Sequence, residues 1–205
     1  GTEILCHVRN TGRCAELFRP GCQVWVQHTP SPSRKTAWTL ITVDKDGVLV
    51  NVDSLAPNKL FAEAVERGVL VPKSLSRIEQ LRPEVKLGSS RLDWQLTGPE
   101  GRLWCEVKGV TLEVDGTALF PDAPTLRGLG HVETLRRLRA EGDFALVAFI
   151  VQMEGVNCFR PNTATQPDFA RALREAREAG VEILCCGCRV TPDSVEPAYR
   201  IPVEL

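Results

Sequence analysis

The stretch RLDWQLTGPEGRLWCEVKGVTL, residues 91–112, decides the fold of most of this chain. Two β-prone runs lie on either side of the turn sequence TGPEG, Thr97–Gly101, and together they predict a β-hairpin. Side chains alternate between the two faces of a strand, so Glu106 and Lys108 share one face. The hairpin then places Asp93 beside Glu106, and the three polar side chains form one cluster.

This cluster has the composition of a divalent-cation site. The carboxylates of Asp93 and Glu106, together with the main-chain carbonyl of Val107, make half of a ligand shell for Mg²⁺ or Mn²⁺. Lys108 is the candidate for orienting an attacking water or stabilising charge on a phosphoryl group. An aspartate followed at a distance by E-x-K resembles the pattern of PD-(D/E)xK, restriction-endonuclease-like nucleases. The alternative is an exposed ion pair on an edge strand, although a strand between two helix layers is expected to be apolar throughout.

Residues 56–205 predict a mixed α/β domain. A helix begins near Pro57 and ends near Gly68, since both residue types are typical of helix boundaries. With the segments that follow, the element order is αβββαβαβ, as in a restriction-endonuclease-like core. The predicted elements after the first helix are strands Ile78–Lys86, Arg91–Leu96 and Leu103–Leu112, helix Leu129–Glu141, strand Phe144–Met153, helix Asp168–Ala179 and strand Val181–Val190.

Residues 1–55 predict a separate β domain. Four short strands alternate with turn sequences, and Asp46-Gly47 between two apolar runs is a hairpin signal. We expect a β-meander that forms a small OB-like barrel, and because such barrels usually have five strands we expect the first strand to be missing. Trp25 and Trp38 are candidate platforms for stacking single-stranded DNA, with core packing as the alternative.

The charge of the chain excludes a surface that is positive throughout. Among 205 residues, 25 are Lys or Arg and 26 are Asp or Glu, which gives a formal net charge of −1. DNA binding must therefore depend on a few local cations. No stretch is apolar over the roughly 20 residues that cross a membrane, and no secretory signal is visible. We expect a cytoplasmic protein without a membrane partner.

The eight cysteines do not predict a metal site. A zinc site needs four convergent ligands, usually in two separated pairs. Adjacent Cys185 and Cys186 instead point to opposite faces of a strand, and only Cys188 follows them. We expect free, buried thiols rather than disulfides.

Three segments carry a resemblance to a known family. CEVKGVTL...ALFPDAPTLRGLGHVETL (Cys105–Leu135), NTGR (Asn10–Arg13) and SSRLD (Ser89–Asp93) strongly resemble the sugar fermentation stimulation protein A family of bacteria and archaea. The resemblance covers almost the whole chain and implies an N-terminal OB-fold followed by a restriction-endonuclease-like domain. It also implies a DNA-binding protein with a proposed part in regulating sugar (maltose) metabolism. Relatives usually begin earlier, with a basic strand, which agrees with the missing strand expected above.

The site residues follow from the motif and from the resemblance together. Relatives typically have a lysine where this chain has Gly130, directly before His131, and that departure weakens a phosphate contact expected there. His131 is a candidate for facing the metal, although a lone histidine is more often a satisfied, partly buried side chain. The catalytic candidates are Asp93, Glu106, Lys108 and Glu63. The candidates for nucleic-acid contact are Asn10, Thr11, Arg13, Asn58, Asp122, Thr125, Arg127 and His131.

Several of these residues also have a plainer interpretation. The helix that follows FPDAPT offers free N–H groups to a phosphate, which Arg127 would grip with two hydrogen bonds. Alternatively, Asp122 and Thr125 cap that helix and Arg127 pairs with Asp122. For Asn58 and Glu63 the alternatives are helix capping and a solvated helix face.

Two classes of function remain open from the sequence. The first is a Mg²⁺-dependent or Mn²⁺-dependent nuclease that hydrolyses phosphodiester bonds in DNA. The second is a catalytically silent DNA-binding regulator of sugar metabolism that keeps the fold and the carboxylates. A DNA-independent part in carbohydrate metabolism is a third, suggested by the family name alone.

Overall fold

The chain forms an N-terminal sheet followed by a larger α/β unit, as seen in a computed structural model that describes residues 1–10, 12–88 and 90–205. The predicted fold class is confirmed. Two residues named in the sequence analysis, Thr11 and Ser89, lie outside the described residues. Among the described helices, none is both long and apolar enough to cross a membrane.

The N-terminal sheet contains β1 (Cys6–Val8), β2 (Val24–His28), β3 (Trp38–Lys45) and β4 (Val48–Asn51). The predicted β-meander is wrong, because β1 does not pair with β2 but runs parallel to the first half of β3. The long connection between β1 and β2 permits this pairing, and β4 takes the second half of β3 through the expected turn. Asp46 and Gly47 both have positive φ, 54° and 93°, as a two-residue hairpin turn requires.

The central sheet has six strands in the order β13-β12-β10-β7-β6-β5. Strands β5 to β7 are antiparallel, β7, β10 and β12 are parallel, and β13 is antiparallel to β12. The parallel strands lie in the middle, which explains the apolar character of β10. The bounds are β5 Gln80–Leu87, β6 Ser90–Gly98, β7 Gly101–Val110, β10 Phe144–Val151, β12 Glu182–Val190 and β13 Val195–Arg200.

Helices cover both faces of the central sheet. Helix α1 (Ala56–Glu66) packs Leu60 and Phe61 against one face, whereas α2 (Leu126–Ala140) and α3 (Pro167–Glu178) cover the other. The cysteine prediction agrees with this layering, because Cys185 and Cys186 lie in the two different cores and all eight cysteines are free.

A third, small sheet was not predicted. It consists of β8 (Leu112–Val114), β9 (Thr117–Phe120) and β11 (Cys158–Pro161), in the order β11-β9-β8. The strand predicted to run to Leu112 ends at Val110, and the chain then turns into β8. Strand β13 was also missed. These strands are three to six residues long, which is too short for a hydrophobic period to stand out.

One apolar core joins the N-terminal sheet to the α/β unit. Val43 and Val50 belong to the same buried cluster as Leu135 and Phe149. Polar contacts reinforce this junction at Gln152, which directly follows β10 and is only 2% exposed. Its side-chain amide donates to the carbonyl of Asn51 at 3.0 Å, to Oδ1 of Asn51 at 2.8 Å and to the carbonyl of Asp53 at 3.2 Å. The N-terminal sheet is therefore fixed to the end of a central strand.

Replacing Gln152 with alanine should destabilise the protein. Three acceptors lose the hydrogen bond from Gln152, two of them at the buried Asn51, so we expect the free energy of unfolding to fall by about 2–3 kcal/mol. Urea unfolding at neutral pH measures this change. The matched control is Gln80→Ala on the exposed edge strand β5, which should stay within about 0.5 kcal/mol of the parent. Equal effects of the two substitutions would contradict the prediction.

Candidate functional site

A pocket of about 480 Å³ lies between the loop that follows β1 and the α/β unit. Its floor is the region where β6 and β7 separate. Asn10 and Gly12 form one wall together with the start of α1, and the loop after β9 with the first turn of α2 forms the other. Polar residues lining it include Asn10, Asn58, Asp93, Glu106, Lys108, Asp122, Thr125, Arg127 and Gln152.

Asp93 lies where the pairing of β6 with β7 stops. The last regular pair is Trp94 with Cys105. One residue further, Oδ2 of Asp93 accepts the main-chain N–H of Val107 at 2.8 Å, so this carboxylate replaces the next hydrogen bond between the strands. Burial, and after it the negative charge of Glu106, raise the pKa of Asp93 above its ordinary value.

Glu106 is the deepest charged group of the pocket, with 3% of its surface exposed. Its Oε1 accepts Nζ of Lys108 at 2.7 Å and Nδ1 of His131. Burial acts to raise the pKa of Glu106, but the hydrogen bond from His131 and the charge of Lys108 outweigh it and hold the pKa below its ordinary value. The other oxygen, Oε2, is buried and has no hydrogen-bond partner among the described residues.

Asn58 connects the start of α1 to this cluster. Its amide nitrogen donates to Oδ1 of Asp93 at 3.3 Å, while its oxygen accepts Nε1 of Trp94 at 2.9 Å. The side chain therefore supports Asp93 rather than capping its own helix, whose N-terminus has no side-chain cap.

The two pocket walls are held together by Asp122. Its Oδ2 accepts the main-chain N–H of Arg13 at 2.8 Å and of Cys14 at 3.4 Å. Gly12 makes this approach possible, because a Cβ there would lie 2.5 Å from the same oxygen. The side chain of Asn10 is also bound within the protein: its amide nitrogen donates to the carbonyl of Val52 at 3.0 Å, and its oxygen accepts from the N–H of Gly12 at 2.7 Å. Thr11, a predicted contact residue, lies outside the described residues.

The first turn of α2 leaves one cation exposed. Thr125 caps the helix, since its hydroxyl accepts the N–H of Gly128 at 2.9 Å. Arg127 is exposed on the pocket wall and forms no ion pair with any side chain that the structure describes, so the alternative pairing with Asp122 is not observed. Arg13 is likewise exposed and binds Asp122 through its main chain.

Some predicted residues lie elsewhere. Glu63 does not line the pocket but pairs with Arg67 at 2.8 Å, because it follows Asn58 by five residues and therefore lies on a different face of α1. His131 lies behind Glu106 rather than in the pocket, because α2 packs over β7 there. Trp25 and Trp38 are also outside the pocket lining.

The sequence analysis missed two residues that shape the pocket. Gln152 interrupts the apolar run of residues 144–153, and that interruption is the signal in the sequence. Gly109 lies against Pro57 and Gln152, where a Cβ would come within 2.7 Å and 2.6 Å of side-chain atoms. A glycine inside a strand indicates such close approach.

The residues present fit a divalent cation in part. Within the described ranges, no three His, Cys, Asp or Glu side chains converge on one point as a ready cation cage. However, the buried Oε2 of Glu106 lacks a partner among the residues that the structure describes, and Asp93 is a second carboxylate whose pKa is raised by burial and by the charge of Glu106. A cation at this point would remove both penalties.

Comparisons with known proteins agree with this architecture. Residues 1–52 match a family model described as SfsA N-terminal OB domain, and residues 55–194 match one described as Sugar fermentation stimulation protein RE domain. The chain is 43% identical over 205 residues to a sugar fermentation stimulation protein homolog of Desulfitobacterium hafniense (strain Y51), covering 100% of this chain and 88% of the relative. A homolog from Clostridium perfringens (strain 13 / Type A) is 41% identical over 204 residues, with 99% and 88% covered.

A solved structure is also similar. The structure of Pyrococcus furiosus SfsA in complex with Ca²⁺ has a TM-score of 0.87 and 29% sequence identity to this chain. The match covers 98% of this chain and 85% of that chain.

The two carboxylates should titrate in opposite directions from their ordinary values. In the metal-free protein we expect the pKa of Asp93 to lie above the ordinary aspartate value of 3.8 and the pKa of Glu106 to lie below the ordinary glutamate value of 4.5. Lys108→Gln should raise both pKa values, because the lysine charge favours both ionised forms. The carboxyl ¹³C shifts of the two residues, followed by NMR against pH, measure this.

Lys59→Gln, on the exposed surface of α1, is the matched control and should leave both pKa values unchanged. Titration of Asp93 at or below its ordinary pKa would show that the burial and repulsion described here are absent.

Proposed function

This chain belongs to the sugar fermentation stimulation protein family, and we propose that its pocket binds DNA at a divalent-cation centre and hydrolyses phosphodiester bonds. The observation that carries the proposal is the orphaned, buried Oε2 of Glu106 beside Asp93 on the pocket floor. A buried carboxylate oxygen that accepts no hydrogen bond destabilises the folded protein unless it binds a cation.

Three groups of this chain would hold Mg²⁺ or Mn²⁺. They are Oε2 of Glu106, the carboxylate of Asp93 and the main-chain carbonyl of Val107. The N–H and C=O of a strand residue point to the same neighbouring strand, so the Val107 carbonyl faces the edge at which its N–H reaches Asp93. Such a cation supplies Lewis-acid stabilisation of a phosphoryl oxygen and makes a bound water more acidic. The Ca²⁺ complex of the Pyrococcus furiosus relative supports a divalent-cation site in this family.

Lys108 is suited to act on the reacting phosphate. Its ammonium group lines the pocket beside Glu106 and is the only lysine among the described lining residues. There it can orient the attacking water and stabilise negative charge that accumulates on the phosphoryl oxygens. Both effects are stronger in a partly buried pocket than in water.

DNA would contact the walls of the pocket through few cations. Arg127 lies at the first turn of α2, where free main-chain N–H groups favour a phosphate, and Arg13 is exposed directly after Gly12, which lines the opposite wall. Two other predicted contact residues hold the pocket in shape: Asp122 binds the main-chain N–H of Arg13, and Thr125 caps α2. Because the net charge is −1, the affinity should be modest and sensitive to salt.

One observation favours a second candidate, a DNA-binding regulator of sugar metabolism without turnover. Nζ of Lys108 donates to Oε1 of Glu106 at 2.7 Å, so the ammonium group already has an anionic partner within the protein. A protein that only binds DNA could keep this ion pair permanently. Cleavage assays with matched variants separate the two candidates.

Loss of Lys108 or of the Glu106 charge should slow cleavage strongly. We expect the parent to cleave labelled single-stranded or double-stranded DNA in Mg²⁺ or Mn²⁺, and Lys108→Ala and Glu106→Gln to slow cleavage by about 10²–10³-fold. Binding of DNA by Lys108→Ala, measured without catalysis in EDTA, should stay close to the parent, because the lysine acts mainly in the transition state.

The matched controls are Lys59→Ala and Glu133→Gln, both on solvent-facing parts of helices outside the pocket. A parent that cleaves while both site variants keep the full rate rejects this active site. A metal-loaded parent that cleaves no DNA or RNA but binds DNA supports the regulator instead.

Removing Arg127 should weaken DNA binding and reduce its dependence on salt. One lost phosphate contact lowers the slope of log K against log salt by about one. Fluorescence anisotropy with labelled DNA over a range of salt concentrations measures the slope. Arg137→Ala, on the same helix but at its far end, should leave affinity and slope as in the parent. An unchanged slope in Arg127→Ala would place the phosphate elsewhere.

A further inference from the structure

The two oxygens of the Glu106 carboxylate have different environments. Oε1 accepts two donors, Nζ of Lys108 from its own strand and Nδ1 of His131 from α2. Oε2 is buried and lacks a hydrogen-bond partner in the described part of the chain, and Glu106 is one of the residues that line the pocket. The carboxylate is therefore held through Oε1, and Oε2 is the oxygen left without a partner.

We infer that His131 is a positioning residue that holds Oε1 of Glu106, so that Oε2 is presented to the divalent cation. This inference rests on the proposed function, because the cation is part of it. His131 does not line the pocket, and it acts on the cation only through Glu106.

His131 is better suited to this task than Lys108. The helix that carries His131 is capped by Thr125 and anchored in the core by Val132 and Leu135. The imidazole ring is therefore held against Glu106 by a rigid element. Its side chain is 12% exposed, which restricts the ring to one place. An imidazole can donate Nδ1–H without carrying a net charge, whereas the lysine ammonium adds a positive charge that repels a nearby cation.

Lys108 and His131 both donate to Oε1 of Glu106, so Lys108 can move away from this oxygen while His131 still holds it. If His131 alone keeps Glu106 in place, Lys108 can turn towards the phosphate while the carboxylate stays fixed. The ion pair between Lys108 and Glu106 is then compatible with a catalytic lysine. This division of tasks connects His131 to the proposed reaction without contact between the histidine and the substrate.

The experiment measures binding of Mn²⁺ alone to the full chain by isothermal titration calorimetry. Asn places an amide group near the position of Nδ1, whereas Gln places it near Nε2. We expect His131→Ala and His131→Gln to weaken Mn²⁺ binding by about 10–100-fold, and His131→Asn to restore most of the affinity. Lys108→Ala should bind Mn²⁺ at least as tightly as the parent, because it removes a positive charge beside the cation. His28→Asn, on β2, is the matched control and should bind as the parent does.

The unfolding temperature of each metal-free variant separates positioning from a folding defect. Weakened binding in His131→Gln together with restored binding in His131→Asn, at similar unfolding temperatures, supports the inference. A parent that binds Mn²⁺ and a His131→Ala variant with the same dissociation constant would overturn the inference and leave the proposed function standing. Equal weakening by Lys108→Ala would overturn the assignment of positioning to the histidine. A parent that binds no Mn²⁺ would reject the cation centre itself, and the inference with it.

Discussion

The buried charge of Glu106 is the constraint on which the arrangement of the site depends. A carboxylate this deep between a sheet and a helix needs donors or cations close by. One comes from its own strand, Lys108, and the other from α2, His131. Helix α2 must therefore lie over β7 with its first turns at the pocket. Because α2 begins at Thr125, this placement also fixes the preceding loop and Asp122 within it.

The pocket is assembled by elements that are distant in sequence. Asp122 reaches across 109 residues to the N–H of Arg13, and Gln152 reaches across 101 residues to Asn51. These hydrogen bonds hold the loop after β1, with Asn10 and Gly12, in the pocket wall. The shared apolar core has the same effect, since buried side chains of the two parts pack together. The pocket lining thus includes residues of both family domains.

The site also shows a conflict between stability and function. Asp93 lies near a second carboxylate and partly out of water, and both conditions disfavour its charge. Oε2 of Glu106, which is buried and has no hydrogen-bond partner among the described residues, lowers the free energy of unfolding further. A structure selected for stability alone would place apolar residues here, as it does along the rest of β7 and β10. Local rules are usually broken in this way where a protein binds something that it does not itself contain.

The sequence by itself determined the central hairpin and the clustering of Asp93, Glu106 and Lys108. It could do so because alternation along a strand and a short turn depend on neighbouring residues only. The order αβββαβαβ and all three helices followed from local periodicity in the same way. The resemblance of three sequence segments to known proteins indicated the family.

Only the tertiary structure decided which side chains meet the cluster. The pairing of β1 with β3 and the contact of His131 with Glu106 rather than with the pocket depend on how helices and sheets pack. The same holds for Asp122, whose carboxylate binds two main-chain N–H groups instead of Arg127. Such contacts join residues far apart in the chain, and their partners are chosen by the balance of burial and hydrogen bonding over the whole fold, for which no local pattern exists.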